Sequence, residues 1–212
     1  GVASLGDGDA SCAFTNPAGL GRVEHGSAYL THTTWLADMA VNDVAVAYRV
    51  QGIGTFAVSF RALDYGSFVF TKVALNSQGY TITPSDSTGD MGGTMVGIAY
   101  GRKLTDKFAV GGQFKYVSDK LGAMDTYNST TDVLNEMQQA DLSAVLFDFG
   151  SSFDTGWRGV ILSMTIQNFG QSQKASNGVE EFTPPLTFKV GIEADALAFA
   201  NIESDMADLT VR

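Results

Sequence analysis

The sequence predicts an all-β chain, an antiparallel sheet of about eight or nine strands joined alternately by short turns and long loops. Three observations carry this. Apolar residues recur with period two: Val44, Val46, Tyr48 and Val50; Phe56, Val58 and Phe60; Val160, Leu162, Met164 and Ile166. Composition agrees, because 24 of 212 residues are Gly and only 17% are charged, against about 7% and about 25% in an average soluble domain. The connections also alternate in length, short at 51–54, 102–106 and 150–156, long at 64–91, 119–139 and 169–184. Outer-membrane barrels show that alternation, with short periplasmic turns and long outer loops. A soluble β-sandwich also has one apolar face per strand, so face alternation alone leaves both architectures open.

The chain opens with a small, glycine-rich stretch, residues 1–22, that contains Asn16-Pro17-Ala18-Gly19-Leu20. Pro17 fixes its own φ and pushes Asn16 toward an extended conformation. Gly19 tolerates φ > 0, so the segment reads as a tight turn. Val23–His32 is a first, imperfect strand, and residues 33–42, with Trp35, return the chain to the sheet. Asn42–Gln51 and Thr55–Ala62 alternate cleanly across a three-residue turn and form a hairpin. Asp64–Thr71 extends the second strand, and Lys72–Asp90 is polar and Ser/Thr-rich, hence a loop. Gly92–Gly101 and Lys107–Ser118 are the next strands, followed by a polar loop over 119–139. Ala140–Phe149 is a strand of ambiguous facing, since Leu142 and Leu146 oppose Val145 and Phe147. Trp157–Asn168 and Pro184–Asp195 alternate again, and 196–212 is weakly patterned.

On nearly every strand one face is large and apolar and the other small or polar. Arg49, Arg61, Lys115, Lys189 and Glu193 all fall on the second face. In a soluble sandwich these charges would meet water; in a membrane barrel they would line the lumen, with the large apolar face on outer-membrane lipid.

Other classes are poorly matched. A net charge of −10 argues against nucleic acid, which needs clustered Lys and Arg. The single cysteine, Cys12, allows no internal disulfide. No run of 18 apolar residues suggests a transmembrane helix, which does not bear on barrel strands. His25 and His32 lie seven apart and are poorly spaced as metal ligands. Asp141 and Asp148 are likewise seven apart and make no carboxylate pair. With no nucleophile elbow, phosphate loop or dinucleotide fingerprint, the expectation is a non-catalytic protein without cofactor or metal.

Several pieces resemble, in order, those of the PorV/PorQ-type outer-membrane barrels, relatives of the FadL transporters. They are Asn16-Pro17-Ala18-Gly19-Leu20 after its glycine-rich lead; Lys103-Leu104-Thr105-Asp106-Lys107-Phe108 with Val110-Gly111 and Lys115-Tyr116; Asn168-Phe169-Gly170; and Pro185-Leu186-Thr187-Phe188 with Gly191. The resemblance covers most of the chain. It implies a FadL/PorV-type antiparallel transmembrane barrel, with residues 1–22 at or inside its periplasmic mouth and 23–212 as barrel strands. Because such barrels are larger, it also implies that this chain is the N-terminal part of one. The function implied is a partner or cargo shuttle of a type IX-like secretion system, binding proteins through its outer loops. Passage of an apolar small molecule, a structural surface barrel and a soluble β-sandwich binding module are the alternatives.

Overall fold

The computed structural model describes residues 8–76, 79–128, 133–174 and 181–194. A helical turn, α1 (Cys12–Thr15), runs into a 3-10 helix (Pro17–Arg22). Among the described residues ten strands follow: β1 (Gly26–Thr34), β2 (Ala40–Val50), β3 (Gly54–Asn76), β4 (Gly79–Lys103), β5 (Phe108–Asn128), β6 (Val133–Asp154), β7 (Ile161–Phe169), β8 (Gln173–Lys174), β9 (Glu181–Phe182) and β10 (Thr187–Glu193). Eight form one sheet in the order β1-β2-β3-β4-β5-β6-β7-β10, every neighbouring pair antiparallel. β8 and β9 form a small separate ladder.

The alternation seen in the sequence becomes two chemically distinct faces. Ala45 and Ala47 are 1% exposed, whereas Val46 between them is 57% exposed. The same contrast repeats at Ala57 against Val58 and Ala99 against Ile98. β6 resolves its ambiguity in the same sense, with Leu146 and Asp148 buried and Val145, Phe147 and Phe149 exposed. The buried face is therefore mostly Ala, Ser, Thr, Gly and Gln, with Asp43, Lys115 and Asp148 among them, and the exposed face mostly Val, Ile, Leu, Phe and Tyr. In a water-soluble sandwich the large apolar side chains would be the buried ones.

What lies against the small face is the N-terminal segment. Its residues touch Tyr29 of β1, Arg61 of β3, Ser151 of β6 and Gln167 of β7. One short segment reaches strands that far apart in the sheet order only because the sheet curls around it. The apolar core is correspondingly small: Ala10, Cys12, Ala13, Leu20 and Val23 from the segment meet Ala45, Ala47, Ala57 and Ala99 from the strands.

Element boundaries differ from the sequence reading in six places. The first strand begins at Gly26, not Val23, and β2 already starts at Ala40. The expected loop at 64–91 is largely strand: β3 and β4 stay paired up to Asn76↔Gly79, with register shifts at Asp64/Ser67 and Val69/Thr71. Likewise β5 and β6 stay paired to Asn128↔Val133, inside the expected 119–139 loop. Thr, Val, Tyr and Ile are frequent in these stretches and favour extended backbone even where overall polarity suggests a loop. At the other end β6 runs on to Asp154, through the expected turn at 150–156, and the turn falls at 155–160. In the third long connection, 169–184, the β8–β9 ladder occupies part of the expected loop. Residues 196–212 lie outside the described residues.

Candidate functional site

The site is the seat of the N-terminal segment on the inner face. Asn16, Pro17, Ala18, Gly19 and Leu20 are all buried. Asn16 has the extended backbone expected before proline, φ −142° and ψ 105°. It is the N-cap of the 3-10 helix: its Oδ1 accepts from Ala18 N at 3.0 Å, and its carbonyl accepts from Gly19 N at 3.0 Å. The segment is thus a capped helical turn, not a free-standing tight turn. Gly19 is needed for a reason other than positive φ, because a Cβ there would stand 2.5 Å from Cys12 Sγ.

The floor of the seat is a row of three glycines. Gly101, Gly111 and Gly150 are direct cross-strand partners on β4, β5 and β6. A Cβ on Gly101 would lie 2.5 Å from Pro17 O, and one on Gly111 would lie 2.3 Å from Pro17 C. One on Gly150 would lie 1.9 Å from Asn16 Oδ1. Backbone therefore packs on backbone, at distances that real Cβ atoms do not allow. Gly21 continues the contact along β4, where its Cβ would meet Arg102 C at 2.8 Å.

Polar bonds fasten the segment at both ends. Ala10 N donates to Ser27 Oγ at 3.0 Å, and Asn16 Nδ2 donates to Ser151 O at 3.3 Å. Gln167 Nε2 donates to the Thr15 carbonyl at 2.8 Å and the Phe14 carbonyl at 3.3 Å. Lys189 Nζ donates to Gln167 Oε1 at 2.6 Å, which fixes the amide with its nitrogen toward the segment. The Phe14 ring lies under the Arg61 guanidinium, 4.9 Å from carbon to centroid, and beside Tyr29. Burial pushes the Cys12 thiol above its ordinary pKa.

Beside this seat the inner face holds paired charges. Arg61 clamps Asp43 with two bonds, Nε–Oδ1 at 2.6 Å and Nη2–Oδ2 at 2.8 Å. Lys115 Nζ meets Asp148 Oδ2 at 2.7 Å, with both side chains buried. The other oxygen of Asp148 accepts from Asn168 N at 2.7 Å. Asn168 takes φ +62° at the β6–β7 register shift, which turns its N–H toward Asp148. Between the two ion pairs, Gln113 Nε2 donates to Ser59 Oγ across the side-chain-free Gly97.

Of the five charged residues named from sequence, Arg61, Lys115 and Lys189 make inner-face contacts, with Asp43, Asp148 and Gln167 respectively. Arg49 sits apart at a strand end, donating to Val23 O at 3.1 Å. Glu193 lines an open cavity of about 700 Å³ with Arg22, Glu24, His25, Ser27 and Ile161. Sequence reasoning missed the roles of Gln167, of Asp148 (named there only in a rejected carboxylate pair) and of Asn168 (named only as a motif residue), and it missed the glycine row. The three glycines lie two, three and four residues from the turn-side ends of their strands, and only their pairing in register brings them into one row. No protein-family model matches this chain, and no curated protein matches it.

Proposed function

We propose that this chain forms an outer-membrane β-barrel of PorV type whose lumen is filled by its own N-terminal segment. On this reading it acts without catalysis, as a docking or cargo-shuttle partner in a type IX-like secretion or surface-attachment system of the bacterial outer membrane. The observation that carries the reading is the inversion of the two faces: large apolar side chains outside, small and polar ones inside. From Val145 to Phe153 the outward apolar positions of β6, broken only by Ser151, cover about 26 Å of strand at about 3.3 Å per residue. At the usual tilt of about 40° that is about 20 Å of height, close to the apolar band of about 25 Å in outer-membrane barrels. Soluble proteins rarely expose an apolar patch beyond about 300–600 Å², and this one wraps six or more strands.

The ordered motif pieces favour the PorV-like assignment, and each has a structural task. Thr105 caps the β4–β5 turn, its Oγ1 accepting from Phe108 N at 3.0 Å. Asn168 shapes the bulge over Asp148 and donates its Nδ2 to Pro185 O at 3.2 Å. Docking is favoured over transport of apolar solutes because the inner face offers ion pairs and a seated segment where a conduit would need a greasy channel. The test is fractionation followed by an unboiled-against-boiled gel. An outer-membrane protein whose migration shifts on boiling, and which co-purifies with other envelope proteins after mild cross-linking, is expected. A freely soluble product with no shift would overturn the reading and leave a soluble binding module.

A further inference from the structure

β3, β4, β5 and β6 are 21 to 25 residues long, whereas β1, β7 and β10 have 7 to 9. The extra length all lies on the side away from the N-terminal segment. It does not continue as one sheet: pairing between β4 and β5 stops at Gly92↔Lys120, while β3–β4 and β5–β6 go on pairing separately. Two hairpin arms therefore rise from a common root. Residues 79–91 of β4 and 121–128 of β5, neighbours below the root, have no ladder between them above it. Both are strands with one unpaired edge among the described residues.

Unpaired edges invite another strand, and natural proteins guard them with charge and proline. Pro84 in β4, opposite Thr71, supplies no N–H, which leaves residues 121–128 of β5 as the better acceptor of an added strand. The charge is one-sided. The two bordering segments carry Asp86, Asp90 and Asp125 and no Lys or Arg. The far strands add Glu136 and a single base, Lys72. An acidic edge repels an acidic strand and favours a basic one.

We propose that the cleft between the two arms receives an extended, net-basic segment of a partner protein as an added strand, held by backbone hydrogen bonds to residues 121–128 of β5, above Lys120. This rests on the docking function proposed above and names how the partner is gripped. Main-chain bonds would supply affinity with little sequence demand, and charge would select the partner, as in other strand-addition complexes.

The probe is a synthetic nonapeptide of alternating threonine, valine and lysine, titrated by fluorescence anisotropy against the full chain in detergent or nanodiscs. Three comparisons decide. N-methylation of alternate peptide nitrogens removes backbone donors and is expected to weaken binding by about tenfold or more. A matched peptide with glutamate for lysine is expected not to bind. The variant D86N/D90N/D125N is expected to weaken binding of the basic peptide and to flatten its salt dependence. No binding of the basic peptide, equal binding of its N-methylated form, or pairing of the chain with a second copy in place of peptide would each overturn the proposal. A protein that still fractionates with the outer membrane and shifts on boiling would then have lost only the strand-addition mode, not the docking reading.

Discussion

Gly150 stands where any side chain would enter the carboxamide of Asn16: a Cβ built there falls 1.9 Å from Asn16 Oδ1. The same layer holds Gly101 and Gly111, so the N-terminal segment rests on a strip without side chains. Gly150→Val is expected to unseat the segment, at a cost of about 1–3 kcal/mol by the usual scale of overpacking. The neighbouring Gly112→Ala is the control, because its Cβ would meet only ordinary contacts from 3.6 Å outward. Thermal loss of the unboiled gel form should move down for the first and stay for the second.

Asn16→Ala removes the cap on Ala18 N and the bond to Ser151 O from a residue that is 0% exposed. Leaving a buried donor unsatisfied costs about 1–3 kcal/mol. The expected result is a lower midpoint in urea. Asn16→Asp keeps the cap acceptor but buries a carboxylate against the Ser151 carbonyl, and should lower the midpoint at least as far as Asn16→Ala.

Cys12 reports whether the segment is seated. Its thiol is buried, and burial raises its pKa, so little thiolate exists near pH 8. Iodoacetamide is expected to leave it unmodified in the folded wild type and to label it in Gly150→Val. Equal labelling of both by mass spectrometry would show that the segment does not depend on the glycine row.

Lys115 and Asp148 form a buried pair, so removing one partner strands the other. Lys115→Met is expected to cost about 3–5 kcal/mol, the usual result of breaking such a pair. Lys115→Met with Asp148→Asn should recover much of that, because no carboxylate is left uncompensated beside Asn168 N. A double variant no better than the single would contradict the pairing as the source of the cost.

Much of this was legible in the sequence. Val46 beside Ala47 and Ile98 beside Ala99 announce strands with one large and one small face, and the inward side of Arg61, Lys115 and Lys189 follows from counting by twos. The arms were not legible, since 72–90 is rich in Ser, Thr and Asp. A strand beyond any buried face needs no apolar alternation, so polarity there looks the same for loop and ladder. Gln167 was hidden for another reason: a glutamine on a polar face looks like many others until the backbone carbonyls of Phe14 and Thr15 are placed before it. The glycine row depends on register between strands, which no single segment encodes.

The most direct test of the central claim is a cysteine scan of β2 from Val44 to Tyr48 in Cys12→Ser protein, labelled with a small environment-sensitive fluorophore and reconstituted with brominated lipid. Strong quenching at positions 44, 46 and 48 and little at 45 and 47 is expected, since the first set faces outward and the second lies beneath the N-terminal segment. Quenching at neither set, with 44, 46 and 48 open to a water-soluble maleimide, would contradict a lipid-facing outer surface.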